Sequence, residues 1–181
     1  MRTLAITQNM SADGSIEFLG DWFDPTDQGE DLTAEVRRQS EREDYLLLGR
    51  QTFTDFRSFW PHQHDDTTGI SEALNRVQKL VVSATLGDPE WEHSTVLGAG
   101  WRDRVRQLKE EDGGDIVVTG SLSLVPDVIA AGLVDEYRLF VHPAVQGRGR
   151  RLFPEGHEAR LTLKESRAFE NGVVLLVYGS D

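Results

Sequence analysis

The stretch that decides the fold is Asp-Ile-Val-Val-Thr-Gly-Ser-Leu-Ser-Leu, residues 115–124. Its apolar run stops at a glycine, passes a serine and restarts with helical spacing. Residues 116–118 are consecutive and β-branched, as expected of a strand buried on both faces of a parallel sheet. Gly120 permits a tight turn, and Ser121 is predicted to cap the helix that follows. The stretch therefore predicts a strand, a turn and a helix.

A helix that starts after a buried parallel strand points its free N–H groups beyond the strand end. Such a helix start favours a phosphate group, because unpaired N–H groups and the helix dipole both attract negative charge. An ordinary strand-to-helix connection has the same local pattern. The stretch alone leaves both alternatives open.

Length, charge and cysteine content exclude several classes of protein. With 181 residues and 38% hydrophobic content, the chain is predicted to form one domain over 1–181. The net charge of −12 argues against nucleic-acid binding, and the absence of cysteine excludes disulfides and thiolate metal sites. No apolar run approaches the roughly 20 residues of a membrane-spanning helix. We expect a cytoplasmic protein with neither nucleic acid nor membrane as a partner.

Strand and helix patterns alternate through most of the chain. Strands are predicted at 3–10, 45–48, 79–85, 94–97, 115–119, 134–142, 160–168 and 173–179. Helices are predicted from 31 to about 43, after 49, at 71–76, at 101–108 and after 120. Early alternation and the late run of strands predict an α/β fold, with a mostly parallel sheet that has an antiparallel edge.

Two stretches without a regular pattern carry aromatic residues. Residues 15–30 include Trp22, and residues 55–69 include Trp60. Connections of this length are uncommon in compact domains unless they are functional. Both loops are therefore predicted to border a substrate, with Trp22 and Trp60 on the substrate side.

Motifs spread along the chain resemble the dihydrofolate reductase-like superfamily. They are Leu-Gly-Arg-Gln-Thr-Phe at 48–53, Lys-Leu-Val-Val-Ser-Ala-Thr-Leu at 79–86 and Val-Thr-Gly-Ser-Leu-Ser-Leu-Val at 118–125. Leu-Val-Asp-Glu-Tyr-Arg-Leu at 133–139, followed by His-Pro-Ala-Val-Gln-Gly-Arg-Gly at 142–149 and Leu-Phe-Pro at 152–154, is more specific. It resembles the C-terminal reductase domain of the bifunctional riboflavin-biosynthesis deaminase/reductase. The resemblance covers nearly the whole chain, and the cysteines of the deaminase module are absent.

The resemblance implies an NADPH-dependent reductase with an eight-stranded, mostly parallel sheet, a C-terminal antiparallel hairpin and helices on both faces. Cofactor and substrate would meet at the carboxyl ends of the strands. The implied cofactor-binding residues are Gly49, Arg50, Thr52, Ser83, Thr85, Gly120, Ser121 and Leu122.

Three of these residues have alternative explanations. A guanidinium at Arg50 can bind the 2′-phosphate of NADPH, but a surface ion pair is the alternative. The hydroxyl of Ser83 can reach the ribose, or it can cap the end of its strand. In dihydrofolate reductase the pair at the place of Gly120 and Ser121 is joined by a cis peptide, and a serine here leaves cis and trans both open.

The substrate side is less well specified. By resemblance an acid on the first long helix assists protonation, and Glu35 lies closest to that position; an ordinary first-turn carboxylate facing water is the alternative. Gln8, Asn9 and Asp13 are expected near the nicotinamide, although Asp13 is equally well explained as a turn residue.

Two polar clusters receive no catalytic role. His-Gln-His-Asp-Asp at 62–66 has no matching distant ligands, so no metal site is expected. Arg148, Arg150 and Arg151 either meet a phosphorylated substrate or form a flexible turn.

The sequence thus predicts an NADPH-dependent reductase that transfers hydride to a small pterin- or pyrimidine-like heterocycle or a carbonyl compound. A homodimer is the usual assembly for such an enzyme. Two other functions remain open. One is reduction of a riboflavin-pathway ribosylaminopyrimidine phosphate, and the other is binding of a dinucleotide or pterin without turnover.

Overall fold

The computed structural model describes residues 1–26, 28–63 and 65–180. The strands are β1 (Leu4–Ser11), β2 (Glu43–Gly49), β3 (Gln78–Val82), β4 (Ser94–Leu97), β5 (Asp115–Thr119), β6 (Glu136–His142), β7 (Leu161–Ala168) and β8 (Val174–Ser180). The helices are α1 (Glu30–Ser40), α2 (Arg50–Phe59), α3 (Ile70–Arg76), α4 (Trp101–Glu110) and α5 (Leu124–Ala130), with a 3₁₀ turn at Trp60–His62. Within these described ranges, no helix is long and apolar enough to cross a membrane.

The eight strands lie in one sheet in the order β4-β3-β2-β5-β1-β6-β8-β7. Neighbours from β4 to β6 are parallel, and β8 runs antiparallel to both β6 and β7. The sheet confirms the predicted fold, including the C-terminal antiparallel hairpin. The stretch that opened the sequence analysis forms β5 near the centre of the sheet, where residues 116–118 are buried on both faces.

Helices cover both faces of the sheet. On one face, α4 and α5 pack on β5 and β1 through a continuous cluster that includes Leu4, Ile6, Val105, Leu108, Ile116, Val118, Val125 and Ile129. The other face carries two separate clusters. One surrounds α2 and α3 and includes Leu46, Leu48, Phe53, Trp60, Leu74 and Val117; the other surrounds α1 and includes Leu32, Phe140, Phe169 and Leu175. This division matters for the functional site, because the strip between the two clusters is polar.

The predicted loop at 55–69 is wrong over its first half. Helix α2 continues to Phe59, and the 3₁₀ turn then carries Trp60 into the core, where only 6% of the residue is exposed. Phe53, Phe56 and Trp60 recur at spacings of three and four, which extends a helical apolar stripe. Pro61 is accommodated because it lies in the first turn of the 3₁₀ segment. Trp60 is therefore a core residue and not a substrate-side residue.

Two other boundaries differ from the prediction. Helix α1 ends at Ser40 and not near residue 43, because β2 already starts at Glu43. Strand β3 ends at Val82, so Thr85 follows the strand in a turn.

Candidate functional site

Two turns follow the neighbouring parallel strands β2 and β5. We call residues 49–52 and 120–122 the cofactor-side turns. In the described part of the chain no side chain caps the N–H groups in the first turn of α2, so they are available to an anion. A Cβ on Gly49 would lie 3.3 Å from Ser121 Oγ. Glycine is favoured at this position because the two turns approach each other closely.

Ser121 joins the cofactor-side turns directly. Its Oγ accepts a hydrogen bond from the N–H of Gly49 at 2.8 Å, and its own N–H donates to Thr52 Oγ1 at 2.9 Å. The two hydroxyl oxygens lie 3.0 Å apart, and Ser121 is only 5% exposed. The N–H groups of Gly49 and Ser121 are thus already paired within the protein. The N–H groups at the start of α2 have no such partner among the described residues.

The predicted helix cap at Ser121 is wrong. Helix α5 begins three residues later, at Leu124, and the carbonyl of Ser121 accepts the N–H groups of Leu124 and Val125. Gly120 and Ser121 both have left-handed backbone conformations, with φ of 59° and 58°, and the peptide that joins them is trans. The serine hydroxyl is directed to the opposite turn, so it does not cap its own helix. The side chain of Leu122 packs on the cluster under α4 and α5.

Arg50, Ser83 and Thr85 follow the carboxyl ends of the neighbouring strands β2 and β3. Gly49 and Val82 are paired in register, so Arg50 and Ser83 follow adjacent strand ends. Arg50 is exposed, and within the described part of the chain its guanidinium has no ion-pair partner. Ser83 Oγ accepts hydrogen bonds from Thr85 N and Leu86 N, so it does cap its strand end. The Ser83 hydroxyl hydrogen is still free to donate.

On the other side of the sheet centre, two loops follow β1 and β6. We call residues 12–26 and 143–151 the substrate-side loops. Ser11 and His142, the last residues of the two strands, are paired in register. The loops continue this pairing, with hydrogen bonds from Ala12 N to Ala144 O at 2.8 Å and from Ile16 N to Arg150 O at 3.0 Å.

His142 lies under aromatic rings from the first loop. The rings of Trp22 and Phe23 meet the imidazole edge-on, at centroid distances of 5.3 Å and 5.5 Å. His142 is 4% exposed, and this burial lowers its pKa below the usual 6.5, so the ring is neutral at pH 7. Its Nε2 lies 3.0 Å from Asn9 Oδ1. Because that oxygen only accepts, Nε2 carries the proton.

Asp13 links the two substrate-side loops through its carboxylate. It accepts hydrogen bonds from Ser11 Oγ at 2.6 Å, Gln146 N at 3.1 Å and Gly147 N at 2.7 Å. Those bonds, the one from Ser11 foremost, lower the pKa of Asp13 to about 2. The structure therefore favours the turn-forming role that the sequence left open for this residue.

A polar strip separates the two hydrophobic clusters on the face that carries α1 and α2. Because Leu4 and Ile6 point to the opposite face, the alternating residues Thr7 and Asn9 point into this strip. Arg138 of β6, paired in register with Thr7, lies beside them and is 2% exposed. Thr7 Oγ1 and Arg138 Nη1 are buried without a hydrogen-bond partner in the described residues. Polar groups between apolar walls are typical of small-molecule sites.

Gln8 does not join Asn9 on this face. Its register partner Leu139 belongs to the cluster under α4 and α5, so the side chain of Gln8 lies on the opposite face of the sheet. Its Nε2 donates to the backbone carbonyl of Asn9 at 2.9 Å. Gln8 and Asn9, both expected near the nicotinamide, therefore lie on opposite faces of the sheet.

The expectation that Glu35 faces water is wrong. Glu35 is 1% exposed and forms ion pairs with Arg38 at 2.7 Å and Arg167 at 3.3 Å. Burial alone would raise the pKa of Glu35, but hydrogen bonds from Arg38 and Gln39 outweigh it and lower the pKa. An ionised carboxylate held in this way does not support the proton-donor role considered for Glu35.

The polar segment at 62–66 is partly described. Asp66 accepts hydrogen bonds from Thr68 and from Ser71 N, and so stabilises the start of α3. His64 lies outside the described residues. No group of three potential metal ligands converges within the ranges that the structure covers.

Phe23 lies in the aromatic loop at 15–30 that was predicted to border a substrate. Sequence reasoning gave no site role to His142 or Gln146, although both lie in the motif at 142–149 that carries the family resemblance. Their partners lie more than a hundred residues away, as in the pair of Asn9 and His142 at a separation of 133. Local patterns cannot reveal contacts of this kind.

Comparison with known proteins places this arrangement in a family. The model of the RibD C-terminal domain matches residues 2–175. The chain belongs to the RibD C-terminal domain family. Membership confirms the resemblance to riboflavin-pathway reductases and indicates a reductase-type domain.

Two proteins of Bacillus subtilis (strain 168) are similar in sequence. The uncharacterized protein YyaP is 33% identical over 139 residues, which cover 75% of this chain and 73% of YyaP. The uncharacterized protein YwjB is 30% identical over 166 residues, covering 90% of this chain and 86% of YwjB.

Two solved structures share the fold. A protein of Shewanella sp. PV-4 named for riboflavin biosynthesis has a TM-score of 0.72 and 19% identity, with 99% of both chains covered. A pyrimidine reductase-like protein of Corynebacterium diphtheriae has a TM-score of 0.65 and 13% identity, with 99% of this chain and 92% of that chain covered.

Proposed function

We propose that this protein is an NADPH-dependent reductase that transfers hydride to a small planar heterocycle or a carbonyl carbon. The observation that carries the proposal is the pair of cofactor-side turns joined by Ser121. They bring two strand ends together beside the uncapped first turn of α2. This is the arrangement in which backbone N–H groups receive a pyrophosphate.

The donor groups at this edge fit NADPH. The N–H groups at the start of α2 would hold a pyrophosphate oxygen, because no protein side chain caps them. Arg50 is exposed and has no ion-pair partner in the described residues, so its guanidinium is free for the 2′-phosphate that NADH lacks. The Ser83 hydroxyl, one strand away, would donate to the same phosphate. Bound NADPH would supply the hydride itself.

The described residues that we place at the substrate would orient it, and the two carboxylates considered for catalysis are not proton donors. Asp13 and Glu35 have lowered pKa values and are ionised at neutral pH, whereas His142 has a lowered pKa and is neutral. Neither carboxylate therefore carries a proton that it could donate to the substrate at neutral pH. Asn9 and His142 hydrogen-bond the heterocycle, and the aromatic rings of the first substrate-side loop pack against it.

A second candidate substrate is the ribosylaminopyrimidine phosphate of the riboflavin pathway. Arg148 and Arg151 are exposed on the second substrate-side loop, and neither has an ion-pair partner among the described residues, whereas Arg150 pairs with Glu17. Two free guanidinium groups favour a phosphorylated substrate. If this substrate is correct, Arg148→Ala should raise its KM and leave the affinity for NADPH unchanged.

Oxidation of NADPH tests the proposal. Purified protein is mixed with NADPH and, in separate reactions, with dihydrofolate, the ribosylaminopyrimidine phosphate and simple carbonyl compounds. Loss of NADPH absorbance that depends on one of these compounds is the expected result. Tight binding of NADPH without oxidation would favour the non-catalytic alternative, and absence of NADPH binding would reject the proposal. The homodimer and the cytoplasmic location stay predictions, the first of which sedimentation can check.

A further inference from the structure

One side-chain amide joins the substrate-side loops. The Oε1 of Gln146 accepts hydrogen bonds from Trp22 Nε1 at 2.7 Å and from the N–H of Leu19 at 3.1 Å. Its Nε2 donates to Ser15 Oγ at 2.7 Å and to the carbonyl of Arg148 at 2.8 Å. A primary amide has two acceptor sites and two donor hydrogens, so the amide of Gln146 is fully used. Its orientation is fixed from both ends.

The backbone of Gln146 is held as well. Its N–H donates to the carboxylate of Asp13, which also accepts the N–H of Gly147. Asp13 follows β1 and Gln146 follows β6, so the side chain of Gln146 rests on the ends of two paired central strands. Because Gln146 is held in this way, a side chain that binds its amide is also held in a defined position.

The side chain that the amide positions is Trp22. With Nε1 held by Gln146, the indole ring lies edge-on to His142, and Phe18 stacks on Phe23 at a centroid distance of 4.4 Å. Edge-to-face and offset arrangements of this kind are favourable for aromatic rings. Phe18 is 48% exposed, so the cluster presents an aromatic surface outward. We call Phe18, Trp22 and Phe23 the aromatic wall.

The aromatic wall stands next to unused hydrogen-bonding groups. His142 Nε2 and Asn9 Oδ1 bind each other, which leaves the Asn9 amide hydrogens and His142 Nδ1 without partners among the described residues. A neutral donor and a neutral acceptor beside an aromatic surface suit the edge of an uncharged heterocycle. The position of Trp22 therefore determines whether the aromatic wall and the unpaired groups of Asn9 and His142 can contact the same substrate.

We propose that Gln146 is a positioning residue of the substrate side. It fixes Trp22 against His142, so the aromatic wall and the Asn9–His142 pair are assembled before a substrate binds. This inference rests on the proposed function, since the heterocycle of that proposal is what the wall receives. Preassembly reduces the entropy lost when side chains are ordered on binding. Gln146 acts through Trp22 and does not need to contact the substrate.

Fluorine NMR on protein labelled with fluorotryptophan tests the positioning step without a substrate. The chain has four tryptophans, and Trp22→Phe identifies the resonance of Trp22. In Gln146→Met this resonance should shift and broaden, while those of Trp60, Trp91 and Trp101 stay in place. The matched control is Gln107→Met, at an exposed glutamine of α4, which should leave all four resonances unchanged. An unchanged Trp22 resonance in Gln146→Met would overturn the proposal.

Kinetics with the substrate that the wild type reduces, dihydrofolate or the ribosylaminopyrimidine phosphate, test the consequence. Gln146→Met should raise KM by about tenfold while kcat and the affinity for NADPH stay near wild type. Gln146→Glu keeps the acceptor for Trp22 Nε1 and should recover part of the loss. A fall in kcat with KM unchanged, or an equal loss of NADPH affinity, would overturn the proposal. If the wild type does not bind NADPH, the proposed function fails, but the fluorine spectra still decide whether Gln146 places Trp22.

Discussion

The cofactor-side turns and the substrate-side loops are both joined by hydrogen bonds across paired strand ends, but the groups that form these bonds differ. The cofactor-side turns use backbone N–H groups and the hydroxyls of Ser121 and Thr52, none of which titrates near neutral pH. The substrate-side loops use an amide, a carboxylate and a buried imidazole from Gln146, Asp13 and His142. The first region should therefore be sensitive to shape and indifferent to pH, and the second should be sensitive to both.

The largest effect is expected from Gly120→Val. Gly120 has φ 59°, and a Cβ there would lie 3.2 Å from Thr52 Cγ2, so a branched side chain separates the two turns. We expect NADPH affinity to fall by at least about 100-fold, with the backbone strain costing only about 1–2 kcal/mol of stability. Fluorescence titration and thermal unfolding measure the two quantities.

The control for this change is Gly132→Val. Gly132 has a similar φ of 64°, and a Cβ there would meet nothing within 4 Å. It carries the same strain away from the turns and should bind NADPH normally. If Gly120→Val also binds NADPH normally, the cofactor does not lie at these turns.

The next effect concerns the charged residue of the cofactor side. Arg50→Ala should weaken NADPH binding by roughly 10- to 150-fold, equivalent to about 1.5–3 kcal/mol for a charge-assisted pair, and should leave NADH binding unchanged. Parallel titrations with both dinucleotides check this. Arg106→Ala, at an exposed arginine paired with Asp103 on α4, serves as the control. Equal losses of affinity for NADH and NADPH would contradict the proposal that Arg50 binds the 2′-phosphate.

A smaller effect is expected from Ser121→Ala, which deletes the hydroxyl between the turns. Loss of its hydrogen bonds to Gly49 and Thr52 should reduce NADPH affinity by about three- to tenfold, equivalent to roughly 0.7–1.4 kcal/mol, which is less than the two bonds together because NADPH binding can restore part of the turn geometry. The reduction should be the same at all pH values where the protein is folded, because no titrating group is involved. Titrations at several pH values check this. A loss of NADPH affinity that varies with pH would contradict the prediction that the cofactor-side turns are indifferent to pH.

The smallest effect is a local response of the substrate-side loops to mild acid. Burial lowers the pKa of His142 below 6.5, so its stabilising contribution is complete above pH 6.5 and is lost as pH falls through the folded pKa. Hydrogen exchange in residues 12–26, corrected for intrinsic rates, should therefore accelerate as pH falls from about 7.5 to about 5.5. His142→Gln should abolish this response.

Local exchange is the appropriate measurement, because another group titrates with the opposite sign. Burial raises the pKa of Glu43, at the amino end of β2, to about 7. The stability that Glu43 contributes therefore falls as pH rises from its ordinary pKa toward 7. Global unfolding would mix the two responses. If hydrogen exchange in residues 49–52 also accelerates as pH falls, the prediction that the cofactor-side turns are indifferent to pH is wrong.

Much of the fold follows from local sequence. The β-branched run in β5 and the glycines after β2 and β5 predict strand, turn and helix, because each requirement is met within a few residues. The assignment of Arg50 and Ser83 to the cofactor side came from the family resemblance and not from local sequence. Local sequence logic fails at Trp60, where a helical apolar stripe extends to the residue directly before a proline.

The remaining features depend on partners that are far apart in sequence. From the sequence alone the hydroxyl of Ser121 is interpreted as a helix cap. The structure shows that it binds instead to the turn that contains Thr52, 69 residues earlier. Glu35 reads as a water-facing carboxylate until Arg167, 132 residues later, pairs with it. The motif around Gln146 does not reveal its role, because that role depends on Trp22 at a distance of 124 residues. The substrate side is built mainly from contacts of this kind, and so it was the less predictable region.

A crystal structure of the protein with NADPH tests the central claim most directly. We predict that the pyrophosphate lies between the cofactor-side turns, with one oxygen about 3 Å from the N–H groups at the start of α2. The 2′-phosphate should contact Arg50, and the nicotinamide should point toward Asn9. A dinucleotide bound elsewhere, or one whose pyrophosphate makes no contact with residues 49–52, would contradict this account.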